Sequence, residues 1–224
     1  MAPLFITFEG IDGAGKTSQL QSAAWFLRKQ KRPVKVLREP GGTPLGEHIR
    51  ELLLHGDEMS ARAEASLFAA ARAELVERVI KPALEEGIDV VCDRYVDSSL
   101  AYQVYGRDLD YDAVAAWNAY MVDELAPSRT YLLSIAAEDA TYGTGRQLSL
   151  FDAEERDWER LDRLERESLI FQRRVEMGYD ALATKFEERI LRISAYLKPA
   201  HIKDIIRSDL QVVLATDRQP ALPI

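Results

Sequence analysis

Eight residues near the start of the chain, Gly10-Ile11-Asp12-Gly13-Ala14-Gly15-Lys16-Thr17, constrain it more than any others. They end a short apolar run, Leu4-Phe5-Ile6-Thr7-Phe8, and precede Leu20, Ala23, Ala24 and Leu27 at helical spacing. The local order is therefore strand, glycine-rich loop, helix. Glycines at 10, 13 and 15 let successive backbone amides turn inward toward phosphate oxygens, and the helix that follows adds its positive N-terminal end. Lys16 offers a point charge to the outer phosphates, and Thr17 a hydroxyl ligand for magnesium. The bare pattern also arises by chance in glycine-rich turns, so its position between a strand and a helix is what makes it a nucleotide-binding candidate.

The rest of the chain repeats the alternation. Apolar runs at residues 34–37, 88–92, 131–135 and 190–193 read as four further strands. Helical spacing covers residues 45–54 and 62–86, the second with Phe68, Ala71, Leu75 and Val79 on one face and Pro82 expected to bend it. Trp117, Tyr120 and Met121 mark a helix after Asp110, residues 161–185 a long one, and Ile202, Ile205, Ile206, Leu210 and Val213 a last one. Residues 136–160, with Gly143, Gly145 and many charges but no clear period, read as a mobile charged flap, and residues 216–224 as a frayed tail. Alternating strands and helices predict an α/β fold, a mainly parallel sheet covered on both faces, with ligands at the carboxyl ends of the strands.

Composition narrows the function classes. A chain of 224 residues with 47% hydrophobic content suits one compact domain spanning residues 1–224. The formal net charge of -8 disfavours nucleic acid as a partner, so anions must be held by local Arg and Lys clusters. A single cysteine, Cys92, excludes an internal disulfide framework, and His48, His55 and His201 lack zinc-ligand spacing. With no signal-like leader and no apolar run long enough for a bilayer, the expectation is a cytoplasmic protein without a membrane partner.

The loop is shared by hydrolases, motors, switches and kinases, so other segments must discriminate. Asp93-Arg94-Tyr95-Val96-Asp97-Ser98-Ser99-Leu100-Ala101-Tyr102-Gln103 resembles the signature segment of thymidylate kinases, and Arg38-Glu39-Pro40-Gly41-Gly42-Thr43-Pro44-Leu45-Gly46-Glu47 resembles a second hallmark. The likeness returns at Leu161-Asp162-Arg163-Leu164-Glu165 and runs through Tyr179. It implies a three-layer P-loop nucleoside-monophosphate kinase fold with a five-stranded parallel sheet flanked by helices. It further implies a homodimer, ATP with Mg2+ as donor, and dTMP as the acceptor converted to dTDP.

Residue roles follow from the same resemblance. Gly10 to Thr17 would bind ATP, with Lys16, Arg94 and Asp12 in the catalytic machinery and Thr17 and Asp93 on the metal side. Phe68 would stack on the thymine and Arg72, one turn on, would hydrogen-bond it, since i, i+4 spacing puts both on one face. Core packing is the competing role for Phe68 alone, an exposed ion pair with Asp93 the competing role for Arg94, and solvated helix surface that for Arg50. Arg94 and Arg50 would hold the acceptor phosphate, with Glu39 beside its channel. Tyr102 would crowd a ribose 2'-hydroxyl, and Ser99 and Gln103 would add polar contacts. Because the loop has Gly13 where some relatives carry an arginine, the last cation is expected from the flap, where Arg146, Arg156 and Arg160 are the candidates. A kinase for another deoxynucleotide or nucleoside, and a regulatory nucleotide-binding module with weak turnover, are the competing functions.

Overall fold

The computed structural model describes residues 2–142, 146–147 and 162–216. Its main sheet has five parallel strands, β1 (Phe5–Glu9), β2 (Val34–Arg38), β3 (Asp89–Asp93), β4 (Arg129–Ser134) and β7 (Ile190–Ser194), in the order β2-β3-β1-β4-β7. β1 occupies the centre, with Phe8 level with Asp93 on one side and Glu9 level with Leu132 on the other. Every residue of β1 is buried, which is why its sequence reads as a continuous apolar run rather than an alternation.

Strand parity divides the core. Ile6 and Phe8 on β1, Val91 on β3 and Tyr131 and Leu133 on β4 point to one face, where α1 (Lys16–Lys29) and α8 (Pro199–Thr216) cover them with Leu20, Leu27, Ile206 and Leu210. Phe5, Val90, Cys92 and Leu132 point to the other face. That face is covered by α3 (Ala61–Leu75), α5 (Val96–Ser99) and α7 (Leu169–Lys185), through Leu75, Val175, Tyr179 and Leu182. Each fully buried aliphatic or aromatic side chain contributes about 1.5–3 kcal/mol, so this double coverage is the main stabilising term. The five-stranded, helix-flanked α/β architecture agrees with the sequence expectation.

Several boundaries differ from it. The expected helix over 62–86 is α3 followed by a π-helical turn (Val76–Ile80) and a short α4 (Lys81–Glu85). Pro82 lacks an N–H and its ring crowds the carbonyl four residues back, and a wider turn immediately upstream relieves that conflict. A second π-helical stretch, Leu100–Gly106, continues α5, where no helix had been expected before Asp110; α6 (Tyr111–Met121) follows, capped by Asp110. The helix expected from 161 begins only at Leu169. Asp162 Oδ1 accepts the amides of Leu164 and Glu165 at 2.9 Å, which makes a turn, and Ser168 then caps α7 by accepting from Phe171 N. α8 remains helical through Thr216, one residue into the expected tail.

α2 (Pro44–His55) is the helix expected over 45–54, started by Thr43 accepting from Gly46 N with Pro44 in its first turn. In the flap region, β5 (Thr141–Tyr142) and β6 (Arg146–Gln147) form an antiparallel pair. The expected mobility of the flap and fraying of the tail otherwise fall outside the described residues. No helix among the described residues is long and apolar enough to cross a membrane.

Candidate active site

The glycine-rich loop leaves the carboxyl end of β1 and wraps onto the N-terminus of α1. Gly10 has φ 132, and a Cβ there would lie 2.3 Å from Leu133 O, so the backbone passes too close to β4 for any side chain. Gly13 and Gly15 also take positive φ, and Gly15 caps α1. Lys16 is buried, and its Nζ donates to Gly10 O at 2.9 Å and Ile11 O at 3.0 Å, with Asp12 Oδ1 at 3.5 Å. Burial lowers its pKa, and the nearby Arg94 guanidinium lowers it further.

Thr17 Oγ1 lies 3.4 Å from Asp93 Oδ2, while Asp93 Oδ1 is buried with no hydrogen-bond partner. A hydroxyl beside a carboxylate with an unsatisfied buried oxygen fits a magnesium ion that takes its other ligands from phosphates and water. The described residues contain no cluster of three or more His, Cys, Asp or Glu arranged to hold a metal ion.

Arg94 is the hub. It leaves β3 at φ 70, a left-handed conformation unusual for a residue with a side chain, while its N–H still bonds Phe8 O. Its Nη2 donates to Asp12 Oδ1 at 2.6 Å and to Tyr102 OH at 3.2 Å. Its Nη1 donates to Ser98 Oγ at 3.1 Å and to Tyr179 OH at 2.9 Å. Its ion pair therefore runs to Asp12 across the loop, and its side chain is only 14% exposed. Burial pushes the Asp12 carboxyl up, but Arg94 and Lys16 together outweigh this and hold it well below the usual carboxylate range.

Two cavities meet here. A polar cleft of about 350 Å³ is lined by Gly13, Gly15, Lys16, Thr17, Ser18 and Asp93, and a more apolar pocket by Pro40, Leu54, Phe68, Ser98, Tyr102 and Leu164. Asp12, Glu39, Arg50 and Arg94 line both. Arg50 Nη1 donates to Pro40 O at 3.0 Å. Ser99 and Gln103 reach the pocket wall, but Ser99 Oγ already accepts from Arg72 and Gln103 Nε2 already donates to Glu64.

Arg72 itself is not among the residues that line the pocket; it is almost fully buried. Its Nε donates to Glu39 Oε2 at 2.7 Å, its Nη1 to Ser99 Oγ at 2.9 Å and to Asn118 Oδ1, and its Nη2 to Tyr95 O at 3.1 Å. Glu39 Oε1 is left buried without a partner, and burial raises this carboxyl to about 7 despite Arg72. Arg146 is described only as part of β6, and Arg156 and Arg160 lie outside the described residues.

Sequence reasoning missed the residues that fix the hub. Glu9, Ser98 and Tyr179 surround Arg94 and one another, Asn118 braces Arg72, and Asp162 joins the pocket wall. Glu9 did carry a signal, as a carboxylate closing an otherwise apolar central strand. Asn118, inside a helix of mixed polarity, carried none.

Comparison with known proteins adds an independent line. A family model described as thymidylate kinase matches residues 8–206. The thymidylate kinase of Chlorobaculum parvum is 44% identical over 214 residues, covering 94% of this chain and 96% of the relative. That of a Synechococcus species is 46% identical over 199 residues, covering 89% and 90%. The crystal structure of the thymidylate kinase from Ehrlichia chaffeensis superposes with a TM-score of 0.72 at 29% identity, covering 96% of this chain and all of that one.

Proposed function

Because this chain belongs to the thymidylate kinase family, a family of phosphotransferases, we propose that it transfers the γ-phosphoryl group of ATP to dTMP across the wall its two cavities share. The observation that carries this reading is the Arg94–Asp12 pair, which lies on both cavities at once. A nucleotide triphosphate in the loop cleft and a monophosphate in the apolar pocket would bring their phosphates together there.

Phosphoryl transfer asks the protein mainly to align donor and acceptor and to offset charge on the transferred oxygens. Lys16, now satisfied by loop carbonyls, exchanges them for the outer phosphates of ATP. Arg94 and Arg50 hold the acceptor phosphate, and Asp12 keeps the Arg94 fork facing it. Phe68 stacks on the base, and Tyr102, buried beside Arg94, closes the space where a 2'-hydroxyl would sit. Arg72 stiffens the base end of the pocket through Glu39 and Ser99. Thr17 and Asp93 would hold a magnesium ion, which would neutralise charge on the donor phosphates. One of Arg146, Arg156 and Arg160 completes the cation set over ATP.

The reading includes a cytoplasmic homodimer. Exposed Leu45 and Leu52 on α2 and the exposed stacked rings of Trp117 and Tyr120 on α6 supply apolar surface for self-association. ADP release measured with dTMP, dUMP, dCMP, dGMP and thymidine as acceptors tests the function, with dTMP expected to be preferred. Lys16→Ala is expected to lower turnover about 10³-fold. A preference for thymidine, or normal turnover by that variant, overturns the assignment.

A further inference from the structure

Glu9 is a buried carboxylate that the phosphoryl-transfer reading leaves without a task. It is 1% exposed at the end of the central strand, and parity with Phe5 and Thr7 turns it toward α5 and α7. A charge in such a place costs several kcal/mol unless its oxygens are fully engaged. Here they are. Oε1 accepts the Tyr95 amide at 2.7 Å, and Oε2 accepts from Ser98 Oγ at 2.6 Å and Tyr179 OH at 3.0 Å.

The direction of these bonds matters. An ionised carboxylate can only accept and a guanidinium can only donate, whereas each hydroxyl has one hydrogen to give. Ser98 and Tyr179 stand between the two, each touching Glu9 Oε2 on one side and Arg94 Nη1 on the other. With Glu9 ionised, both hydroxyl hydrogens point at it, and both hydroxyl oxygens present lone pairs to Arg94. We infer that Glu9 is a positioning residue that orients the Ser98 and Tyr179 hydroxyls as paired acceptors, so that Nη1 of Arg94 is anchored and the guanidinium is held at the wall the two cavities share.

This rests on the reading of Arg94 as a phosphate ligand. Replacing Glu9 by Gln keeps the shape but puts an N–H where an acceptor stood, and one hydroxyl must then accept from the wrong side. Burial, and next the Asp97 carboxylate, push the Glu9 carboxyl up to about 7, while Arg94 opposes the shift. Asp97 is itself clamped by Arg189 at 2.7 Å through both oxygens, and Lys16 also faces Glu9 electrostatically from the loop. Protonation of Glu9 would act as the Gln does, by turning an acceptor into a donor.

The test is a kinetic double-mutant cycle on the full chain with Glu9→Gln, Arg94→Ala and the pair, reading kcat and KM separately for dTMP and ATP. Glu9→Gln is expected to lower kcat/KM for dTMP on the order of 10-fold to 100-fold, with KM for ATP nearly unchanged and little added loss in the Arg94→Ala background. Tyr179→Phe, which removes one hydroxyl without placing a polar change in the core, is expected to give a smaller loss of the same selectivity, and serves if Glu9→Gln does not fold. Equal kcat/KM for dTMP in parent and Glu9→Gln, or in parent and Tyr179→Phe, overturns the inference. So does a Glu9→Gln loss that is fully additive with Arg94→Ala. An Arg94→Ala enzyme with unaltered dTMP kinetics overturns the reading beneath it as well, whatever the Glu9 variants do.

Discussion

At the scale of single residues, the Arg72–Glu39 pair governs how the base end of the pocket is held. Both side chains are almost fully buried, and removing one leaves the other charge uncompensated, which typically costs about 3–5 kcal/mol. Glu39, however, can neutralise itself near pH 7 because burial has already raised its pKa to about 7. Arg72→Met is therefore expected to lose about 3 kcal/mol at pH 8 and clearly less at pH 5, as read from urea unfolding at the two values. An equal loss at both would show that Glu39 does not take up the proton. The sequence revealed this pair only in part. The i, i+4 spacing of Phe68 and Arg72 said nothing about depth: the Phe68 ring lines the pocket, while Arg72 is almost fully buried. The Asp93-Arg94 motif was legible as a site, yet Arg94's partner is Asp12, 82 positions away, a relation no local spacing encodes.

At the scale of elements, the strands were the easiest features to read. A parallel sheet covered on both faces needs uninterrupted apolar runs, and β1 and β4 supply them. The start of α7 was misread because Leu161, Leu164 and Leu169 keep acceptable apolar spacing, while the Asp162 turn and the Ser168 cap that end the preceding loop are side-chain events. The loop after β1 offers a sharper experiment, because its glycines face different constraints. A Cβ at Gly10 would strike Leu133 O, whereas one at Gly15 meets nothing within 4 Å and bears only the penalty of φ 86. Gly15→Ala is expected to cost roughly 1 kcal/mol of stability, and Gly10→Ala substantially more, since the loop must part from β4. Thermal unfolding of the two variants checks the order, and equal stabilities would contradict the close approach.

At the scale of the whole molecule, buried carboxyls set a pH dependence. Glu9 and Glu39 are both raised from 4.5 to about 7, so between those values the folded state holds their protons more tightly than the unfolded chain does. Their contribution is therefore greatest below pH 4.5 and is lost as pH rises toward 7. Asp12 works in the opposite sense, losing stability only as pH falls below the ordinary aspartate range. Glu39→Gln is expected to flatten the decline in unfolding temperature between pH 5 and 8 relative to the parent, and a parallel pair of curves would exclude Glu39 as a contributor. The same central strand that ends in Glu9 also shapes how the chain is made. β1 is synthesised first, yet its two neighbours are β3 and β4, and Glu9 is not level with Leu132 until 123 further residues have been added. At about 5–20 residues per second on the ribosome, that interval is roughly 6–25 s. Throughout it, β1 lacks its β4 neighbour, so one edge of a fully buried apolar strand stays unpaired until late in synthesis.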